Sequence, residues 1–148
     1  KQGKMRLLCS QEIVTERPYN PEYVNTYWET SPLRKWLNKT FLMEAFSIEE
    51  RSRIVNTRVE NLPSPRYFTS GGADTVDKLF IFNIEEAEKY FSGDHDRALG
   101  HWWWLRTPGS THLSAASVYI DGTIYEDGVN VYFADGGVRP AMWVLTRG

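Results

Sequence analysis

The chain has 148 residues, of which 41% are hydrophobic and 14% aromatic, and 17 Lys and Arg against 19 Asp and Glu give a net charge of −2. This composition excludes a disordered chain and predicts one globular domain over residues 1–148. The near-neutral charge argues against nucleic acid as a partner. No apolar run reaches the roughly 20 residues that span a bilayer. Because Lys1 opens the chain without a signal segment, we expect a domain excised or processed from a longer chain.

A strand and a proline-rich break are predicted first. Residues 5–14 are short and apolar, which is typical of a strand. The next segment, residues 17–21, contains Pro18 and Pro21 and predicts a loop.

Two helices are predicted next. Ser31 is a good helix cap, and Pro32 stands at the first helical position, where no N–H is needed. The apolar side chains that follow at helical spacing are Leu33, Trp36, Leu37 and Phe41. Ser47 and Glu50 form a capping-box pattern, which predicts a second short helix ending at about Val55. We expect the two helices to pack as a hairpin.

The middle of the chain combines a long loop with two further elements. Residues 61–76 are rich in Pro, Gly and Ser, which predicts a loop of a length that is often functional. Residues 77–82 predict a strand. Asn83 then caps a third helix, with Glu86 three residues on and Gly93 beyond its end.

From His101 onward the hydrophobic period is two, which is typical of strands. The predicted strands are residues 101–106, 117–120, 123–125, 129–133 and 142–145. The turns between them are predicted at Pro108-Gly109, Asp121-Gly122, Asp127-Gly128 and Asp135-Gly136-Gly137. We therefore predict an α+β fold, with N-terminal helices packed on an antiparallel sheet and a C-terminal β-meander.

Four segments carry a resemblance to a known family. They are residues 28–38 (WETSPLRKWLN), 45–50 (AFSIEE), 103–109 (WWLRTPG) and 137–143 (GVRPAMW). The chain resembles an uncharacterised bacterial domain family that ends in a WWLRSPG…GVRPALW pattern. That family is distantly similar to C-type-lectin-like folds of the formylglycine-generating-enzyme type, in which an LR-x-G strand and a terminal G-[FV]-R strand bracket a variable region.

The resemblance implies a binding function at a surface. Some proteins of the larger group are variable proteins targeted by diversity-generating retroelements, which randomise surface residues in the C-terminal part and so change ligand specificity. The single cysteine, Cys9, does not decide the compartment. We expect a cell-surface or extracellular location.

The sequence lacks the patterns of a metal site and of the common hydrolases. The histidines, His95, His101 and His112, have no ligand spacing with each other or with Cys9, so no metal or other cofactor is predicted. Asp94-His95-Asp96 is expected to form a solvated polar turn. A copper oxidase of the related fold would need reactive thiols, and no G-x-S-x-G elbow surrounds the serines at 110, 114 and 117. We predict that the protein is not an enzyme.

Four large side chains are expected to be structural. Arg106 and Arg139 lie inside apolar, β-rich motifs, so each is expected to pair with a carboxylate and backbone carbonyls, although a ligand-binding guanidinium is the alternative. Trp36 and Trp143 have apolar neighbours in their own periods and are expected to pack in the core.

A polar face rich in tyrosine is predicted in the C-terminal sheet. The side chains expected in the core are Val118, Ile120, Ile124, Val129, Val131 and Phe133. Alternation then places on the opposite face Ser117, Tyr119, Thr123, Tyr125, Asn130 and Tyr132. Tyrosine with small polar residues is typical of recognition surfaces. The alternative is that the loop of residues 61–76 or a helix covers this face.

Three functions are therefore open. The first is non-enzymatic binding of a protein or glycan ligand through the tyrosine face and the loop that contains Ser110, Thr111 and His112. The second is a structural or assembly module of a bacterial or phage surface protein, whose tyrosine face packs on a neighbouring domain. The third is an enzyme descended from the formylglycine-generating fold, because a fold does not determine a function.

Overall fold

The computed structural model of the chain describes residues 4–146 and has a mixed α+β architecture. The strands are β1 (Met5–Cys9), β2 (Thr15–Glu16), β3 (Thr57–Val59), β4 (Thr75–Asp77), β5 (Trp103–Pro108), β6 (Ser114–Val118), β7 (Ile124–Asn130), β8 (Gly137–Val138) and β9 (Ala141–Leu145). The helices are α1 (Pro32–Trp36), α2 (Leu42–Ala45), α3 (Ile48–Arg53), α4 (Ile84–Tyr90) and α5 (Asp94–Arg97). A 3₁₀ turn (Trp28–Thr30) precedes α1, and a π-helical turn (Leu37–Phe41) joins α1 to α2.

A five-stranded sheet forms the centre of the domain. Its strand order is β2-β8-β5-β6-β7, and two-stranded ribbons form between β1 and β9 and between β3 and β4. The β5–β6–β7 part is an antiparallel meander, whereas β8 runs parallel to β5, with Gly137 opposite Trp103. The α+β class and the antiparallel sheets are confirmed.

The three predicted helix caps are confirmed. The side chains of Ser31, Ser47 and Asn83 accept hydrogen bonds from backbone N–H groups three residues later, at 3.1, 3.1 and 2.7 Å. These bonds satisfy N–H groups that a helix start leaves without partners. The first helix runs over residues 32–45 with the π-helical turn in its middle, and the segment predicted as a polar turn, Asp94-His95-Asp96, is the start of α5.

Two predicted strands are wrong in extent. Residues 5–14 do not form one strand, because β1 pairs with β9 and the chain then turns before β2 pairs with β8 in the central sheet. Residues 77–82 do not form one strand. Asp77 is the last residue of β4, and residues 79–82 are buried with only an isolated bridge, between Phe80 and Ala141. The physical reason is that the Asn38 side-chain oxygen accepts the N–H groups of Lys78 and Leu79, at 3.0 and 2.9 Å, in place of a neighbouring strand.

The turn predicted at Asp127-Gly128 is also wrong. One strand, β7, runs through it, and Gly128 adopts a φ of 88° where the pairing with β6 is irregular. The predicted strand 129–133 therefore ends at Asn130, and Tyr132 and Phe133 lie in a turn.

Aromatic side chains dominate the core. Trp28, Trp103 and Trp104 are fully buried, and the Trp104 ring packs at 5.6 Å from Tyr19, between ring centroids. The indole N–H of Trp104 donates to the Arg17 carbonyl at 2.8 Å, so its polar atom is satisfied. No helix within residues 4–146 is long and apolar enough to cross a membrane.

Candidate functional site

The residues of the predicted tyrosine face do not all lie on one face of the sheet. Tyr119, Tyr125 and Tyr132 are 55%, 47% and 45% exposed. Tyr125 is opposite Ser117 in the β6–β7 register, whereas Asn130 is opposite Ser114. Ser114 and Ser117 are three residues apart on one strand and so point to opposite faces. Tyr125 and Asn130 are therefore on opposite faces, which corrects the prediction that they share one.

Three side chains depart from the predicted alternation. Ser117 is 1% exposed, because β6 is a central strand that is buried on both faces. Ile120 and Phe133 were predicted in the core and are exposed, because each lies in a turn beyond the end of its strand. Thr123 is exposed as predicted, and its hydroxyl donates to the Asp121 carboxylate at 2.7 Å in the β6–β7 turn.

The loop between β5 and β6 presents Ser110 and Thr111 to solvent, with His112 half-buried behind them. The Thr26 N–H donates to the His112 carbonyl at 2.8 Å, and His112 Nε2 donates to the Ser70 carbonyl at 2.8 Å. The imidazole also packs against the Tyr27 ring, with a centroid distance of 4.2 Å. The loop is thus fixed from both sides by neighbouring segments.

An exposed aromatic cluster lies next to this loop. Tyr132 packs edge-on against Tyr23 at 5.2 Å and against Phe133 at 5.5 Å, between ring centroids. All three rings are substantially exposed. The Val131 N–H donates to the Leu113 carbonyl at 3.0 Å, which joins the cluster to the Ser110–His112 loop. We call Tyr23, Tyr132 and Phe133 the aromatic rim.

The long loop predicted over residues 61–76 is wrong at its end, because Thr75 and Val76 belong to β4. Its irregular part lies against the Ser110–His112 loop on the side opposite the aromatic rim. The Thr69 hydroxyl donates to the Gly109 carbonyl at 2.8 Å, and the Tyr67 hydroxyl donates to the Asp127 carboxylate. This hydrogen bond raises the pKa of Tyr67, because it favours the protonated phenol. Phe68 is 80% exposed and has a φ of 60°, which is unfavourable for a residue with a bulky side chain.

Arg106 lies at the centre of a buried polar network. Its guanidinium donates to both carboxylate oxygens of Glu86, at 2.5 and 3.2 Å, and to the Asn61 side chain at 3.2 Å. It also donates to the carbonyls of Ile81 and Glu60, at 2.7 and 2.8 Å. The Arg106 side chain thus ties α4 and the segment before the long loop to β5, and it is not available to a ligand.

Arg139 is buried by different contacts. Its Nε donates to the Ser10 carbonyl at 2.7 Å, and its guanidinium lies over the rings of Phe91 and Trp103, at 4.7 and 4.9 Å from the centroids. Within residues 4–146 it forms no ion pair with a carboxylate, which differs from the expected pairing. Burial lowers the pKa of Arg139 and raises that of the adjacent Cys9 thiol.

Trp36 and Trp143 are half-buried. Trp36 packs against Phe41 at 5.3 Å, and the Arg17 guanidinium covers its other side at 4.4 Å from the ring centroid. Trp143 lies in β9 opposite Leu7. Both packing contacts join the N-terminal segment to the rest of the domain.

Sequence reasoning missed Tyr23, Phe133 and Phe68 as exposed aromatic residues. Tyr23 and Phe68 lie in segments without regular periodicity, and alternation placed Phe133 in the core because the strand was predicted to continue beyond Asn130. The available signal was an aromatic residue in a Pro-rich or polar loop, where no core position is expected. Within residues 4–146, no group of three or more His, Cys, Asp or Glu side chains could hold a metal ion.

The fold and this surface define a mixed α+β domain with exposed aromatic side chains around a fixed polar loop. A family model described as a domain of unknown function (DUF6273) matches residues 3–146, and the chain belongs to that family. The match agrees with the predicted membership of an uncharacterised domain family. No curated protein and no solved structure matches the chain.

Proposed function

We propose that this domain is a non-enzymatic recognition module that binds a protein or glycan ligand through the aromatic rim and the Ser110–His112 loop. The observation that carries the proposal is the aromatic rim, because three adjacent aromatic rings are exposed at one place on the surface. Aromatic side chains provide a large contact area with few rotatable bonds, and the neighbouring hydroxyls and imidazole provide hydrogen bonds.

The fixed position of the loop supports this assignment. Backbone and side-chain hydrogen bonds hold His112 between Thr26 and Ser70. A surface that is already ordered loses less conformational entropy when a ligand binds. Tyr119 and Tyr125 lie toward the β6–β7 turn, away from this loop, and are not part of the proposed binding surface.

The C-type-lectin-like relationship is part of the proposal. The WWLR motif lies in β5 and the GVRP motif begins in β8, and these two strands are neighbours in the central sheet. The segment between the motifs forms β6 and β7 on one side of β5, and the chain then returns to place β8 on the other side. This is the arrangement expected when two framework strands bracket a variable binding region.

Two contacts support a non-enzymatic function. His112 Nε2 donates to the Ser70 carbonyl, and the Ser114 hydroxyl contacts the carbonyls of Thr111 and Asp127, each at 3.2 Å. A nucleophilic serine would require a hydrogen bond to its base. These two side chains are instead engaged by backbone carbonyls.

A second candidate is an assembly module, which Phe68 favours. Phe68 is 80% exposed and has an unfavourable backbone conformation, which lowers the stability of an isolated domain. Burial against a neighbouring domain of a surface protein would offset that cost.

The test compares two double variants on glycan arrays and in pull-downs with chemical crosslinking. Tyr23→Ala/Tyr132→Ala should lose about tenfold or more in affinity, because an anchoring aromatic contributes about 1–2 kcal/mol. Tyr119→Ala/Tyr125→Ala is the matched control and should bind as the wild type does. Loss of binding by the control alone would contradict the assignment to the rim. Undiminished binding by both variants would favour the assembly module.

A further inference from the structure

A basic cleft lies on a different part of the surface, between the first helix and the end of β4. Its volume is about 380 Å³, within the usual range for small-molecule sites. Its cationic lining residues are Arg34, Lys35, Lys39 and Lys78. This local charge contrasts with the net charge of −2 of the whole chain.

The only carboxylate among the lining residues, Asp77, is already used by the protein. Its two oxygens accept hydrogen bonds from Arg34 Nε at 2.7 Å, the Trp28 indole at 3.0 Å and the Thr75 hydroxyl at 2.7 Å. Asp77 therefore neutralises the charge of Arg34 from the buried side of the cleft. Among the residues that the structure describes, no carboxylate forms an ion pair with Lys35, Lys39 or Lys78.

The walls of the cleft are held in place by hydrogen bonds. Asn38 donates to the carbonyls of Arg34 and Leu79, at 3.1 and 2.9 Å, and accepts the N–H groups of Lys78 and Leu79. The Lys78 ammonium donates to the carbonyls of Ile54 and Arg51, at 2.7 and 3.2 Å. An ammonium carries three donors, so one donor is left for a ligand.

The backbone of the helical wall is unusual at the same place. Asn38 and Lys39 lie within the π-helical turn, where the Leu42 N–H bonds to the Leu37 carbonyl five residues earlier. Such turns are rare and are frequently found at functional sites. Lys35 and Lys39 are also four residues apart on this wall, so their like charges repel unless an anion lies between them.

We propose that the cleft binds a small ligand carrying a phosphate or sulfate ester, of about the size of a monosaccharide. The oxyanion would accept hydrogen bonds from Lys35, Lys39 and the remaining donor of Lys78, which a tetrahedral group with several oxygens can satisfy together. The body of the ligand would lie against Leu42 and Val76, which add apolar surface to the cleft. This site is independent of the aromatic rim.

The experiment titrates the whole chain with glucose 6-phosphate, glucose 6-sulfate and glucose, by calorimetry and by amide chemical shifts. At least one ester should bind, with shifts at residues 35–39 and 76–78, and glucose should not. Comparison of the two esters identifies which oxyanion the site prefers. Lys35→Ala/Lys39→Ala should weaken ester binding at least tenfold, and its unfolding midpoint serves as the check on folding.

The matched control is Lys89→Ala, which removes an exposed helical lysine from α4. It should bind as the wild type does. Equal ester affinity of the double variant and the wild type would overturn the proposal, and so would the absence of binding by both esters. Neither result would affect the proposed function. The Tyr23→Ala/Tyr132→Ala variant leaves the cleft intact, and its binding is measured with a different ligand.

Discussion

Replacing Arg106 with methionine should destabilise the domain strongly. The side chain is 3% exposed, and methionine keeps much of the apolar contact while removing the guanidinium. The carbonyls of Glu60 and Ile81 then lose their donors, and the Asn61 side-chain oxygen loses one. Glu86 keeps its own hydrogen bond from the Asn83 N–H but loses its cationic partner.

The expected loss of unfolding free energy follows from the groups that lose their hydrogen-bond donor when Arg106 is replaced. Removal of one member of a buried ion pair typically costs about 3–5 kcal/mol. The Glu86 side chain is 28% exposed and can be partly solvated, so most of the cost comes from the stranded oxygens of Glu60, Asn61 and Ile81. Each kilocalorie lowers the unfolding midpoint of a domain of this size by about 2–4 °C. We therefore expect the melting temperature to fall by about 6–20 °C, with the free energy of unfolding reduced by roughly a fifth or more in a typical domain.

Urea unfolding followed by tryptophan fluorescence measures this free energy directly. Arg58→Met is the matched control, because Arg58 pairs with Asp74 on the surface, at 3.0 Å, and such pairs contribute little. Its effect should be below about 0.5 kcal/mol. A loss of less than about 1 kcal/mol in the Arg106 variant would refute the reasoning, since it would mean that the stranded carbonyls regain partners.

Arg139→Ala should lower the free energy of unfolding by about 2–4 kcal/mol, since it removes packing against Phe91 and Trp103 and leaves the Ser10 carbonyl without its donor; an unchanged melting temperature would contradict this. Cys9 should react with iodoacetamide more slowly in the folded than in the urea-unfolded chain at pH 8, because burial raises its pKa and less thiolate is present; mass spectrometry measures the two rates, and equal rates would contradict the burial. Phe68→Asn should raise the free energy of unfolding by about 0.5–1 kcal/mol, because asparagine tolerates a positive φ; a lower melting temperature would mean that the exposed ring makes stabilising contacts.

The parts of the fold that local chemistry determines could be predicted from the sequence. Ser31, Ser47 and Asn83 each cap a helix with a side chain three residues from its partner, so the information lies within one turn. The β6–β7 hairpin was predictable for a similar reason, because the Asp121-Gly122 turn acts between neighbouring residues, whereas the second pair, Asp127-Gly128, lies within β7.

The parts that depend on distant residues could not be predicted. Residues 78–82 have the composition of a strand, but the backbone at Lys78 and Leu79 bonds to the Asn38 side chain from a helix 40 residues earlier. Tyr23 and Tyr132 form the aromatic rim although they are far apart in sequence, and no pattern within either segment indicates the contact. The basic cleft was missed because its cations come from two segments whose proximity only the fold creates.

Gly128 lies where the pairing of β7 with β6 is irregular, and its replacement with alanine tests what the residue contributes there. The residue has a φ of 88°, and an added Cβ would lie 2.9 Å from both the Ala115 carbonyl oxygen and the Gly109 Cα atom. The unfavourable φ costs about 1–2 kcal/mol, and the backbone contacts add strain that neither neighbour can easily relieve. We expect a total loss of about 2–4 kcal/mol in unfolding free energy.

Gly100→Ala is the control that separates the two contributions. Gly100 has a φ of 75°, but an added Cβ would meet no atom within 4 Å. The Gly100→Ala variant should therefore lose only the free energy that the unfavourable φ costs, about 1–2 kcal/mol. The N–H of Ser110 donates to the Asp127 carbonyl at 3.0 Å, so hydrogen exchange at Ser110 should accelerate in the Gly128 variant alone. Equal losses in both variants, with unchanged exchange at Ser110, would show that the close approach at Gly128 does not hold the β7 irregularity and the Ser110–His112 loop together.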